Sequence, residues 1–218
     1  FESRGNAHNR GWTTGTKTLM VYAVGYSAAQ QNTLRNTQIP ELQRWLEKNS
    51  MEQLQFNNFK FVALQNTGNM RSCDLPTMGS EARRRYGENV DYQMEAVTYA
   101  QNFNGCPYAG VGWVGGMGSV SLGVDAFKHV GAHELGHNLG LWHAHADDRD
   151  YGDYLDTMGH GEHFFGAPAM HRMDWIGDDR WDAPSNWNGE PRVTRIFASD
   201  FSKKSPSGSD KMGLMVPV

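Results

Sequence analysis

The sequence predicts an α+β fold: a twisted mixed β-sheet with one interposed helix, then a histidine-bearing helix, then a mostly irregular C-terminal subdomain. Three observations carry this. Apolar runs rich in β-formers occur at 17–26 (KTLMVYAVGY), 59–64 (FKFVAL) and 92–99 (YQMEAVTY). Only one clear helical pattern interrupts them, which suits α+β better than a doubly wound sheet. Residues 144–163 are polar and rich in Asp and Gly, the composition of a long ordered loop.

The elements follow in order. Leu34, Ile39, Leu42, Trp45 and Leu46 fall at helical spacing, interrupted by Pro40. Proline is tolerated in the first turn of a helix, so the expected helix spans about 39–48. The triplet Arg83, Arg84 and Arg85 reads as an exposed helix face or a salt-bridged end. YAGVGWVGG (108–116) and SVSLG (119–123) read as short Gly-rich strands near a sheet edge. Asp125 is the expected N-cap of a helix over about 126–139, and Gly140 is its expected stop. Residues 167–177 suit a short helix, and 192–199 and 211–218 two further strands. The organisation expected is an N-terminal subdomain over 1–143 with the sheet and that helix. A C-terminal subdomain over 144–190 and a β-tail over 191–218, the possible start of a further region, complete it.

The chain has 218 residues, 39% of them hydrophobic, with seven Trp, enough for one sizeable core. A net charge of −4 gives no reason to expect nucleic acid or an acidic membrane surface as partner. No apolar run has the length of a membrane-spanning helix. The chain opens at Phe1 with no basic-then-apolar leader, which leads one to expect a processed N-terminus. Cys73 and Cys106 can form one disulfide or remain buried thiols. No Asn-x-Ser/Thr acceptor is present.

The chemistry concentrates in HELGHNLGLWHAH, residues 133–145. On a helix His133 and His137 lie one turn apart and project from one face, so both can bind a single ion. Glu134 lies one step round, beside the metal rather than at it, placed to take a proton from a metal-bound water. Gly140 can adopt the positive φ that reverses the chain and lets His143 approach as third ligand. His145 points the same way in an extended segment and is not excluded by spacing alone. Its expected role is that of a solvated neighbour. Three neutral imidazoles favour tetrahedral Zn²⁺ with an open fourth position, the mark of a catalytic rather than structural ion.

The pattern HExxHxxGxxH resembles that of the metzincin zinc endopeptidases, whose motif is followed by a turn with a methionine beneath the metal. Met158 in DTMGH, fifteen residues beyond His143, fits that turn. NGCPYAGVGWVGG, YGDYLDTMG and FFGAPAMHRMDWIG are most similar to the gametolysin-like family of that clan. The resemblance, spanning about 73–177, implies a zincin/metzincin-like fold and a secreted protease made as a zymogen that cuts extracellular or cell-wall polypeptides. His160 stands where some metzincins carry a tyrosine. It is a candidate fifth ligand or oxyanion donor, against the plainer reading of a solvent-facing turn histidine. RSCDLP faintly resembles a zinc-blocking cysteine-switch peptide. Too little chain would then remain before His133 for the sheet, so a Cys73–Cys106 disulfide is favoured, worth about 3–4 kcal/mol.

Further expectations are less specific. The strand around Val111 to Gly116 is expected to line the cleft and pair with an extended peptide, with Gly112, Trp113 and Val114 as contacts. Residues 162–171 are expected to form a pocket wall, with Phe164 and Phe165 as its apolar lining or as core. Asp147, Asp148, Asp150, Asp153 and Asp156 form an acidic loop, more readily solvated than calcium-binding. Tyr151 and Tyr154 are oxyanion-donor candidates whose default is aromatic packing. A monomer is expected. The alternatives are a non-catalytic zinc-binding adhesion module derived from a protease and a zinc hydrolase of non-peptide amides.

Overall fold

The computed structural model describes residues 10–65, 74–86, 93–100, 106–123, 127–146, 148–161, 164–182, 196 and 211–214. One helical turn, α1 (Arg10–Thr13), leads into β1 (Gly15–Val24). Every residue of β1 from Leu19 to Val24 is buried, because the strand is flanked on both sides and covered on both faces.

After β1 the chain forms a long helical stretch: α2 (Ala28–Thr33), a π-helical turn (Leu34–Gln38) and α3 (Ile39–Asn49). It starts about eleven residues before the expected boundary. Ser27 caps α2 through a capping box with Gln30. The Ile39 N–H bonds to the Leu34 carbonyl, one residue beyond α-helical reach. That wider turn keeps Leu34 and Ile39 on one buried face despite their five-residue spacing. It also lets Pro40 enter in the first turn of α3, where its missing N–H removes no interior bond. Leu34, Ile39, Leu42 and Leu46 are all fully buried.

β2 (Leu54–Leu64) pairs parallel with β1 over its whole length, and extends further back than the apolar run FKFVAL suggests. α4 (Leu75–Tyr86) is foreshadowed only by the helix-face reading of the arginine triplet; among its described side chains Met78 and Ala82 are buried. Ion pairs brace it as well. Glu81 binds Arg84 at 2.8 Å and Arg85 at 2.9 Å, and Arg83 reaches the buried Glu95 at 2.8 Å. The arginine triplet is thus salt-bridged, as one of its two readings has it.

β3 (Met94–Tyr99), β4 (Gly110–Gly112) and β5 (Ser119–Leu122) complete the main sheet in the order β2-β1-β3-β5-β4, with only β4 antiparallel. One face, with Leu19, Val21, Ala23, Met94 and Ala96, packs on α3 and on α5 (Phe127–Asn138). The other, with Met20, Tyr22, Val97, Tyr99 and Val120, packs on Met78 and Ala82 of α4. Among the described residues after α5, regular structure is α6 (Ala167–Arg172), a 3₁₀ turn at Asp178–Arg180, and a parallel pair of β6 (Trp181–Asp182) with β7 (Gly213–Leu214). Of the strand expected over 211–218, Gly213–Leu214 is in a strand, residues 211 and 212 are not, and 215–218 lie outside the described residues. The strand expected over 192–199 lies outside the described residues except for the exposed Ile196, which is not in a strand. Asp125 and Asp147 also lie outside them.

β4 is three residues long, shorter than expected, because turns and bends occupy 114–117 and Gly115 and Gly118 take φ of 68° and 111°. It lies directly against α5. A Cβ on Gly112 would overlap the Glu134 carbonyl oxygen and meet His137 Cβ at 3.0 Å. Backbone cannot yield as a side-chain tip can, so Gly112→Ala should destabilise the protein by about 2 kcal/mol through overpacking. Urea unfolding reads this directly, and an unchanged midpoint would mean that β4 stands off the helix.

Candidate metal centre

α5 places His133 and His137 one turn apart, with ring centroids 4.9 Å from each other. The helix ends as expected at Gly140, which adopts φ of 98°. Its N–H bonds to the His137 carbonyl at 2.8 Å, and the Leu141 N–H reaches back to Gly136 at 3.1 Å, the bonding of a Schellman cap. The reversal brings the His143 ring to 4.9 Å from His137 and 5.5 Å from His133. Candidate ligand atoms of the three residues all lie within 4.8 Å of one another. His145 stays outside this group, exposed, with its Nε2 3.3 Å from Asp150.

Each ring is held from its Nδ1 side. His133 Nδ1 lies 2.7 Å from the Thr157 carbonyl and His137 Nδ1 2.8 Å from that of Leu141. His143 Nδ1 lies 3.1 and 3.2 Å from the two oxygens of Asp150. Carbonyls and carboxylates only accept, so each Nδ1 carries the proton and each Nε2 keeps its lone pair. Burial pushes His133 down to about 4 and lowers His137 as well, which keeps both neutral at pH 7. Three imidazoles oriented in this way fit Zn²⁺ with an open coordination position. Asp150 was visible in the sequence only as one of several loop acids, because no spacing rule ties it to His143.

Glu134 is buried beside the group, and desolvation pushes its carboxyl up to about 8. A dication alongside would draw that value down again. A Cβ on Gly110 would come within 2.5 Å of Glu134 Oε1, so the strand passes right at this carboxyl. Leu122 N–H bonds to Ala109 O at 2.8 Å and Trp113 N–H to Gly118 O at 3.4 Å. Strand alternation then turns the N–H and C=O of Gly110 and Gly112 toward the outer edge, which no described strand pairs. Trp113 exposes part of its side chain, while its carbonyl accepts from Asn138 Nδ2 at 3.2 Å; Val114 lies in the turn that follows.

Met158 is buried beneath α5, where a Cβ on Gly136 would overlap its sulfur. Its N–H bonds to Asp156 Oδ1 at 2.7 Å and its carbonyl accepts from Ala144 N–H at 2.8 Å. Asp156 also accepts from Gly166 N–H at 2.7 Å. One expectation needs correction, and a second position follows the plainer of its two readings. Phe165 is a core residue with no exposure, packed against Trp45 at 5.0 Å and Trp175 at 5.8 Å, and so cannot line a substrate pocket. His160 is not among the converging donors. It is exposed, its Nδ1 donates to the Tyr151 carbonyl, and its ring stacks on Tyr154 at 5.3 Å. The aromatic that does lie on the histidines is Tyr151, whose phenol is pushed up by burial and then by the Asp150 and Glu134 carboxylates. Phe164 is half-buried, its carbonyl accepting from Thr157 N–H at 2.9 Å.

Among the described residues the three histidines form the only metal-binding group of this kind, and the loop acids form no carboxylate group suited to calcium. Asp153 and Asp156 spend their carboxylates on backbone N–H groups of their own loop. Cys106 is half-buried, and its expected partner Cys73 lies outside the described residues.

If Asp150 orients His143, Asp150→Ala should weaken zinc affinity by about 10- to 100-fold while leaving the fold intact, and Asp150→Asn should recover part of it. Competition with a chromophoric chelator measures both, and an unaltered affinity in the Ala variant would count against the role.

Residues 92–184 match the family model described as gametolysin peptidase M11. No curated protein matches the chain. Among solved structures the chain is similar to archaemetzincin from Methanopyrus kandleri, with TM-score 0.52, 10% identity, and coverage of 80% of this chain and 97% of that one. It is also similar to metalloproteinase-II from Bacteroides fragilis, with TM-score 0.49, 15% identity and coverage of 75% and 54%. A chain in a chaperone–substrate complex, of which it spans 33%, gives TM-score 0.45 at 13% identity over 72% of this chain. At 10% identity the archaemetzincin likeness speaks for the fold alone. Residues 92–184 are thus similar to gametolysin peptidases, on a mixed α+β fold like that of archaemetzincin, and they carry a three-histidine group suited to zinc.

Proposed function

We propose that the protein is a secreted, metzincin-type zinc endopeptidase that cuts extracellular or cell-wall polypeptides, and that Glu134 is its general base. The observation that carries this is the juxtaposition of a buried Glu134, three converging imidazoles and an open strand edge at Gly110 and Gly112. When bound, zinc supplies Lewis acidity that polarises the scissile carbonyl and acidifies the attacking water.

The chain's own residues do the rest. An extended peptide can pair its main chain with the outward groups of Gly110 and Gly112, which sets its carbonyl beside the histidines. Glu134 takes a proton from water as the new C–O bond forms, and gives it to the leaving nitrogen as the C–N bond breaks. Burial suits Glu134 to both roles, because desolvation raises the basicity of its carboxylate. The outward backbone of β4 favours a peptide over the non-peptide amides of a rival hydrolase, and the retained Glu134 disfavours a purely adhesive module. Secretion as a zymogen, a monomeric state and the Cys73–Cys106 disulfide belong to the same reading.

Two experiments test this reading. Glu134→Ala should keep zinc and lose at least about 100-fold in casein cleavage, the scale of general-base catalysis, and 1,10-phenanthroline should abolish wild-type turnover. Retained turnover in the variant would refute the mechanism. Intact-mass measurement after alkylation, with and without reduction, should show label on the cysteines only after reduction; two alkylated thiols beforehand would sink the disulfide.

A further inference from the structure

Tyr151 lies on the histidine group in a way that the metal-binding geometry does not require. Its ring centroid is 3.8 Å from that of His143 and 5.7 Å from that of His133, tilted by 32° and 22°. One phenol ring therefore covers two of the three imidazoles. The backbone at Tyr151 has φ of 59°, a left-handed conformation that costs a bulky residue on the order of 1 kcal/mol or more. The loop enforces it. The Tyr151 carbonyl accepts from His160 Nδ1, Gly152 N–H bonds to Arg149 O at 3.0 Å, and a Cβ on Gly152 would meet Ala146 N at 2.7 Å. The preceding residue, Asp150, is held on His143 Nδ1. Two adjacent side chains thus grip the third histidine, the carboxylate at its edge and the phenol on its face. Tyr154, the other aromatic of this loop, stacks on His160 instead and is 66% exposed.

We propose that the Tyr151 hydroxyl donates a hydrogen bond to the oxyanion that develops when water adds to the peptide carbonyl, a role that rests on the peptidase reading above. The phenol begins and ends the cycle protonated. The water oxygen forms the new bond to carbon, its proton travels by Glu134 to the departing nitrogen, and Tyr151 contributes only a fixed donor. A preorganised donor of this kind acts on the transition state more than on the ground state, so its loss lowers kcat rather than raising KM.

Tyr151→Phe keeps the ring and removes only the O–H. If the proposal holds, kcat falls about 100-fold and KM stays within about twofold. Zinc affinity, measured by chelator competition on the metal-free protein, stays at the wild-type value. The Kd of a phosphinic peptide, which mimics the tetrahedral oxyanion, weakens about as much as kcat falls. Wild-type kcat and phosphinic-peptide affinity in the Phe variant would overturn the proposal, leaving the ring as mere packing. So would a loss confined to zinc affinity. Cleavage surviving in Glu134→Ala would instead overturn the peptidase mechanism. The phosphinic-peptide affinity reads Tyr151 without any turnover, so the two failures are distinguishable.

Discussion

At Gly140 the backbone takes a φ of 98°, where a β-carbon would crowd the neighbouring carbonyl, and the rest of the centre follows from the reversal made there. The turn closes α5 by two backbone hydrogen bonds. It then presents the Leu141 carbonyl to His137 Nδ1, which fixes the tautomer of the second histidine. Two residues further on, it delivers His143 to the other two rings. The Gly140 carbonyl, facing away, accepts from Arg172 Nε at 3.2 Å, which ties the turn to the end of α6. One glycine thus ends a helix, orients one ligand and positions another.

The remaining two rings are oriented by the chain that follows. Thr157 presents its carbonyl to His133, and it can do so because Asp156 clamps the Met158 and Gly166 N–H groups from a buried site. Asp150 supplies the third acceptor from an exposed part of the loop. All three groups that hold the imidazoles therefore lie C-terminal to the helix that carries the first two. The stretch that looks irregular by composition is the part that sets ligand geometry. Its regularity lies in side-chain-to-backbone bonds rather than in periodic structure.

The sheet contributes from the other side. β4 can lie flat on α5 only because Gly110 and Gly112 have no side chains on the face that meets Glu134 and His137. That close approach places an unpaired strand edge next to the buried carboxyl, so the surface that can receive a peptide and the group that can move its proton are built by one packing contact.

The sequence by itself determined what depends on local chemistry. The buried β1, the buried face of α3, the helix with two histidines one turn apart, its glycine stop and Met158 were all legible, because spacing and backbone preference act over a few residues. Its misreadings were tertiary. α4 was hard to read because Gly, Ser and Glu separate its buried Met78 and Ala82, and the π turn before Pro40 shows only as a five-residue step between buried positions. Phe165 reads equally as pocket or core until Trp45 and Trp175 close around it. In the sequence Asp150 is one of several loop acids, Tyr151 is an oxyanion-donor candidate no better marked than Tyr154, and His160 stands where some metzincins carry a tyrosine. Only the folded loop decides that Tyr151 covers the histidines and His160 faces outward, because contacts between residues seven to eighteen apart depend on how an aperiodic chain closes on itself.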